Sequence, residues 1–436
     1  MRKEKPLVVI GIATVAIVVL SVEAKDATAQ WPQWGGPNRN FIVHAEGLAD
    51  SWPADGPERL WSRELGSGYS TIAVDDGLLY TMYRRGDDEF VIALDAKTGE
   101  TAWEHKQNAP MSEAMKEFEA GPNSTPLVVE DRLFTVGTNA VMHCFDKKSG
   151  KVLFKRDLAD EFDFPVPDFG YSCSPIAYKN LVIVSMDRNR PGDRQGPQQQ
   201  EATEGSVEGQ SLIAFDRETG ERAWSKHDYR MDYSSPVLVN FGGREQLVML
   251  MQRGMIGVDP ASGDRLWYYP VPQPYGENYA TPVWTGDNLL LVTDGSRGCR
   301  LVELFEEDGR IIPRDRWTSR KLRIHLGNAV RVGDCIYGSS GGRAGAPAFQ
   351  VALDIKTGKR LWIERGFAGA TCLHADDKLI ILDEEGHLAL ATATPEKLTV
   401  HAKCKITESR TWAAPTLTGK TLYVRDNNRI MALDLG

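Results

Sequence analysis

The sequence predicts an all-β fold: one ring of eight four-stranded antiparallel blades, an eight-bladed β-propeller. Three observations predict it. The stretch ALDAKTGETAW, residues 93–103, recurs through the chain. A second pattern, a small residue followed by proline at the head of an apolar strand, precedes the copies. The copies fall about 48 residues apart, and each period holds three or four short β-rich runs parted by Gly, Asp and Asn turns.

The best copies are AFDRETGERAW (214–224), GVDPASGDRLW (257–267) and ALDIKTGKRLW (352–362), while CFDKKSGKVLF (144–154) has Phe in the tryptophan slot. Two copies are degraded. ELFEEDG (303–309) puts Phe305 in the aspartate slot and reaches Trp317 only after four extra residues, and ALATATPEKLT has lost all three marks. The eight aspartate slots are then Asp95, Asp146, Asp216, Asp259, Phe305, Asp354, Ala391 and Asp434. The second pattern appears as STPLVV at 124, CSPIAY at 173, SSPVLV at 234, ATPVWT at 280 and AAPTLT at 413.

The chemistry of the motif is structural. After Leu-Asp the chain must reverse, and Gly99, Gly150, Gly220, Gly263 and Gly358 supply the positive φ that closes a short hairpin loop. The carboxylate accepts the turn's own N–H groups. The tryptophan on the outgoing strand (Trp103, Trp224, Trp267, Trp317, Trp362) is a large plate with one N–H donor, suited to wedging between neighbouring sheets. Two half-copies define the closure. ERLW ending at Trp61 has the tryptophan without the Leu-Asp, and ALDLG at 432–436, with Asp434, has the Leu-Asp without the tryptophan. The strand bearing Trp61 is therefore expected to pair with the C-terminal blade and close the ring.

The repeated A-x-D-x-x-T/S-G-x-x-x-W resembles the tryptophan-docking motif of the pyrroloquinoline-quinone (PQQ) type propeller repeats, from about Trp61 to the end. The opening WPQWGGPNRN is similar to the starts of exported bacterial proteins of that class. The resemblance implies one of two functions. One is quinoprotein oxidoreduction with PQQ and calcium; the other is the scaffold role of the outer-membrane barrel-assembly lipoprotein, which uses neither. The chain departs from both patterns. No Cys-Cys pair is present, and the first cysteine is Cys144, far from the apolar leader.

Residues 1–29 read as a signal peptide: a charged start, an apolar run from Leu7 to Leu20 and a small-x-small site ending at Ala29, with an uncleaved anchor as the alternative. Residues 30–56 form an N-terminal extension and 57–436 a single propeller. The formal charge of −9 opposes nucleic-acid binding, whose affinity rests on basic groups. No later segment is apolar and long enough to span a membrane. The six separated cysteines read as buried free thiols.

Loops between the second and third strands of each blade open on the same face as the links between blades. Five elaborated segments (82–90, 186–210, 339–349, 107–123 and 157–171) would gather there, which makes that face the expected seat of function. Arg84, Arg188, Arg253, Arg297, Arg343 and Arg425 would point towards one rim, able to clamp an anionic ligand, although polar turn residues also recur simply because a repeat recurs. His325 is the best single candidate for acid/base work. The link carrying Asp160, Glu161, Asp163 and Asp168 has oxygen ligands of the kind calcium takes, and reads as a solvated loop. GSSGG, 338–342, matches G-x-S-x-G only formally, because that elbow works between a strand and a helix. No catalytic residue and no metal site is assigned. The expectation is a periplasmic or secreted monomer that binds another envelope protein, or an anionic or carbohydrate ligand. No cofactor is expected, except PQQ with calcium under the oxidoreductase alternative; a carbohydrate-binding propeller is the third reading.

Overall fold

The computed structural model describes residues 30–117, 121–164, 166–167, 169–186, 208–229, 233–252, 254–271, 280–295, 297–341 and 347–436. Its strands form eight four-stranded antiparallel sheets arranged as the blades of a propeller. Blade 1 shows the plan: an inner strand Ala73–Asp75, then Leu78–Arg85, Asp88–Asp95 and an outer strand Thr101–Asn108. Blades 2 to 7 repeat it over residues 127–157, 176–226, 237–270, 283–319, 329–365 and 371–405. Blade 8 takes three strands from residues 416–434 and its outer strand, Glu58–Glu64, from the other end of the chain. The expected closure is observed, with Trp61 opposite Ala432 and Glu58 opposite Asp434.

The motif works as a lock between blades. In blade 1, Asp95 Oδ1 accepts the N–H groups of Lys97 and Thr98 at 3.0 and 2.9 Å, and Gly99 sits at φ +72°. These bonds hold the Asp95 carboxyl below its ordinary range. The wedge comes from the preceding blade. Trp61 lies on Gly99, where an added Cβ would stand 2.6 Å from its ring, and its Nε1 donates to Ala96 O at 3.0 Å. Trp103 meets Gly150 and Lys147 O in the same way, and Trp317 meets Gly358 and Ile355 O. Phe154 and Trp224 cover Gly220 and Gly263, and Trp362 donates to Thr394 O. The glycine is thus required twice, for its φ and for the bare surface on which the ring rests.

The degraded copies need correction. Leu289 pairs with Glu303, as Leu78 pairs with Asp95, and Leu304 N donates to Asn288 O as Ala96 N does to Gly77 O. Glu303, not Phe305, therefore fills the aspartate slot of blade 5. Counted from Glu303, Trp317 comes 14 residues on, against 8 from Asp95 to Trp103, so six residues are inserted rather than four. Yet Trp317 faces Leu301 as Trp103 faces Ala93, and the insertion makes no loop. The two strands instead run on as a ribbon to Glu307 and Arg310, and the chain reverses at Asp308 and Gly309. In blade 7 the slot is Thr392 rather than Ala391, since Leu379 pairs with Ala391 and Leu390 with Ala402.

The small-residue-Pro step builds an inner belt. Thr125 N donates to Ser174 Oγ, Ser174 N to Ser235 Oγ and Ser235 N to Thr281 Oγ1, each bond crossing from one blade to the next. Ala414 N makes the same kind of bond from blade 8 to Thr71 Oγ1 of blade 1 at 3.3 Å. The proline after Thr125, Ser174, Ser235 and Thr281 has no N–H to leave unsatisfied, which suits an inner-edge position. All six cysteines are free and buried.

Candidate functional site

The propeller has two unlike faces. One carries the hairpin reversals of the motif and is here called the turn face; the other carries the blade-to-blade links and is called the link face. The N-terminal segment crosses the turn face. Trp31 pairs with Val74 of blade 1, and Val128 N of blade 2 donates to Pro32 O. Arg39, its charge opposed by burial that lowers its pKa to about 10, interacts with Glu245 of blade 4. Val43 N then donates to His374 O of blade 7, and Ala49 N to Leu435 O of blade 8. Trp31 is 0% exposed and Phe41 4%. This segment touches blades on opposite sides of the ring, so it crosses the turn face from one side to the other. Further on, Ser51 Oγ donates to His401 O and Gly56 packs against Cys404. Trp52 enters that same buried cluster, beside the seam where blade 7 has Ala402 in place of a tryptophan.

On the link face the anticipated arginine rim is not assembled from Arg84 and Arg425. Arg84 is 1% exposed and donates to Ala109 O at 2.6 Å. Arg425 is 0% exposed and spans the closure, donating to Thr81 Oγ1, Met82 O and Gly66 O. Both guanidinium groups donate to backbone carbonyls instead of facing solvent, and Arg84 Nε and Nη1 are buried without a hydrogen-bond partner. Segment 82–90 is likewise not an elaborated loop, because its strands run to a tight reversal at Gly86 and Asp87. Arg188, Arg253 and Arg343 lie outside the described residues, as do most of 186–210, residues 342–346 and Asp168. Arg297 is exposed, and His325 is half-buried beside Gly295.

The residues at the link-face mouth of the channel are aromatic and polar. Tyr69 and Trp412 meet at a 46° tilt with a centroid distance of 4.9 Å, Arg410 lies 4.5 Å over the Trp412 ring and Glu384 accepts from its Nε1 at 2.9 Å. Phe169 meets Tyr233 edge-on at 5.6 Å. Two clefts open on this face. One, of about 410 Å³, lies between blades 1 and 2 and is lined by Gln107, Asn108, Met115, Asn139, Lys155 and Asp157. The other, of about 210 Å³, lies between blades 4 and 5, where Arg297, Arg300 and Arg320 line it. The sequence signals for these clefts were slight: polar link ends, and a missing motif in blade 5.

Among the described residues, no group of three or more His, Cys, Asp or Glu side chains is placed to hold a metal ion. In the acidic link, Glu161 is engaged by Arg156, at 3.0 Å from its Nε, and the Asp157 side chain caps Asp160 N. Among the described residues of the link, the donor set that calcium requires is therefore not assembled. No helix among the described residues is long and apolar enough to cross a membrane.

Comparison with known proteins assigns the repeats. The family model described as "Outer membrane protein assembly factor BamB", of the PQQ repeat type, matches residues 21–105 and 87–364. The chain belongs to this family. Within it, the outer membrane protein assembly factor BamB of Burkholderia pseudomallei is 23% identical over 398 residues, covering 86% of this chain and 87% of that protein. The quinohemoprotein alcohol dehydrogenase ADH-IIG of Pseudomonas putida is 24% identical over 246 residues, which span 52% of this chain and only 29% of that protein. In structure, BamB from Moraxella catarrhalis superposes with a TM-score of 0.60 at 15% identity, over 86% of this chain and 97% of that one. A quinohemoprotein alcohol dehydrogenase from Comamonas testosteroni gives 0.64 at 13%, over 94% and 81%. At these identities the structural likenesses establish a shared propeller fold.

Proposed function

We propose that the protein is an envelope scaffold of the assembly-factor type, located on the periplasmic side and acting by binding another protein through its link face. The observation that carries this reading is the asymmetry of the two faces. The turn face is occupied by the chain's own N-terminal segment, whereas the link face holds the clefts and the aromatic channel mouth. The match to an assembly factor along 86% of this chain and 87% of that protein supports it. A photo-crosslinking residue placed at Asn139 or Arg297 is expected to give a discrete adduct with an outer-membrane assembly component in intact cells. The same residue at Lys420, on the turn face, is expected to give none. Adducts arising from Lys420 alone would sink the reading.

The oxidoreductase alternative has the fold likeness behind it and no assembled metal donor set among the described residues. Where PQQ binds it supplies two-electron quinone chemistry. Protein incubated with PQQ and calcium is expected to show no quinone absorbance after desalting and no dye reduction with alcohols or sugars.

A further inference from the structure

The seam between blades 4 and 5 differs from the other tryptophan-bearing seams because its wedge has turned inward. A docked Trp267 would need the hairpin corner and bare glycine of blade 5, but there the strands run on through Glu303–Leu304–Phe305 and leave no such corner. Trp267 instead lies across Gly257 on the adjacent strand of its own blade, and its Nε1 donates to Gln246 Oε1 at 2.7 Å. Blade 1 has Ala93 at the position of Gly257 and blade 6 has Ala352; only a glycine leaves room for the ring to fold back. Across the seam, the apolar cluster that holds Trp267 with Leu290, Val302 and Leu304 is joined by a polar contact. Tyr269 OH of blade 4 donates to Asp315 Oδ1 at 2.6 Å and accepts from Arg300 at 2.9 Å.

At the link end of this seam lies the cleft of about 210 Å³. Val271 and Val292 contribute apolar wall, Thr293, Thr318 and Ser319 contribute hydroxyls, and Arg297, Arg300 and Arg320 contribute three positive charges against the one carboxylate of Asp294, which accepts from Arg297 N. Arg300 and Thr318 are directly opposed across the strands, and Gly298 approaches the Arg320 Cα, so these groups converge on one edge. Arg300 is already engaged by Tyr269. Arg320 is exposed, and so are Lys321 and Arg323 on the link that follows. None of these three is paired with a carboxylate among the described residues. The other end of the same hairpin behaves differently: Arg314 pairs with Glu307 and Arg316 with Glu303, each at 2.7 Å. In a chain of net charge −9, three unpaired cations beside an arginine-lined cleft are a local reversal of sign.

We propose that this cleft is a carboxylate-binding site for an acidic segment of a protein partner. Guanidinium forks match carboxylates in two-point geometry, and the hydroxyls can donate to the oxygens the forks leave open. The cleft is recessed between two blades, so a single side chain reaches its floor while a flat layer of lipid headgroups meets only the rim. That the partner is a protein rests on the scaffold reading above.

The test uses the full mature chain and fluorescein-labelled hexaglutamate, followed by anisotropy. Saturable binding that weakens as salt is raised is expected. Arg320→Glu is expected to lower affinity roughly tenfold or more, the scale of losing a charge-assisted pair. Arg314→Glu, which makes the same change in net charge at the far end of the hairpin, is expected to leave it unchanged. Circular dichroism and melting temperature check that both variants are folded. Binding that survives Arg320→Glu overturns the site, as does displacement by inorganic phosphate at lower concentration than by unlabelled hexaglutamate. Capture of phosphatidylglycerol vesicles in place of the peptide also overturns it. Absence of peptide binding while the Asn139 adduct persists removes the cleft and leaves the scaffold reading standing. Absence of every link-face adduct while Arg320-dependent peptide binding persists removes the scaffold reading instead.

Discussion

The seam between blades 1 and 2 and the seam between blades 4 and 5 start from nearly the same motif and end as opposites. In the first, Trp103 is wedged on Gly150 and bonded to Lys147 O, and the Lys147 ammonium is itself buried against Asp75 and Asp76. Burial opposes that ammonium's charge, but the two carboxylates outweigh it and hold its pKa above the ordinary value. In the second, the tryptophan faces its own blade, a Tyr–Asp–Arg cluster spans the gap, and a cleft remains. The difference teaches that the motif is a property of two blades at once. A tryptophan docks only when the next blade presents its corner, so loss of one hairpin corner frees the edge of the blade before it.

The comparison can be broken most severely at Lys147. Lys147→Met strands Asp75 and Asp76 without their cation, and a loss of about 3–5 kcal/mol is expected, read by urea denaturation. Gly150→Ala should cost about 3 kcal/mol, since the Cβ combines a strained positive φ with a contact 2.5 Å from the Trp103 ring. Gly309→Ala, at the tip of the blade 5 ribbon, has positive φ with no atom within 4 Å of its Cβ, and should cost only about 1–2 kcal/mol. Equal losses at the two glycines would refute the wedge.

Acid provides the next contrast. His143, 3% exposed in the first seam, has its pKa pushed down to about 3, by burial first and then by the charges of His105 and Lys155. The folded state therefore binds this proton less readily than the unfolded chain, whose histidines titrate near 6.5. Stability should be full above that value and fall as the pH drops from 6.5 towards 3, by about 2–3 kcal/mol at pH 4.5. Replacing it, His143→Phe, should flatten that part of the stability profile. The smallest effect is expected from Tyr269→Phe at the second seam, about 1 kcal/mol, because the hydroxyl's partners lie where water can replace it.

The ring, the closure strand and the aspartate corners were legible because each depends on local spacing and turn chemistry. The docking of each tryptophan was legible as a wedge, but not its failure at Trp267. ELFEEDG still scans as a corner, and only strand register shows Glu303 in the slot and the chain running on. Gly257 was visible as a departure from alanine, yet its meaning needs the ring that lies over it. Arg84 and Arg425 were misread in direction, because a long cation goes where uncapped carbonyls await it, and those belong to neighbouring segments. The cleft at Arg320 was not foreseen, since it arises from two seam halves some fifty residues apart.

The closure of blade 8 also sets a timetable. Among the described strands Glu58–Glu64 is the first to be synthesised and its sheet partner, Arg429–Asp434, is the last. Until Arg429–Asp434 is released, seven blades can assemble while the opening strand has no ladder to join. The closure of the ring therefore depends on Arg429–Asp434, and a chain cut short before Arg429 is left with two unsealed edges, those through which such sheets recruit strangers.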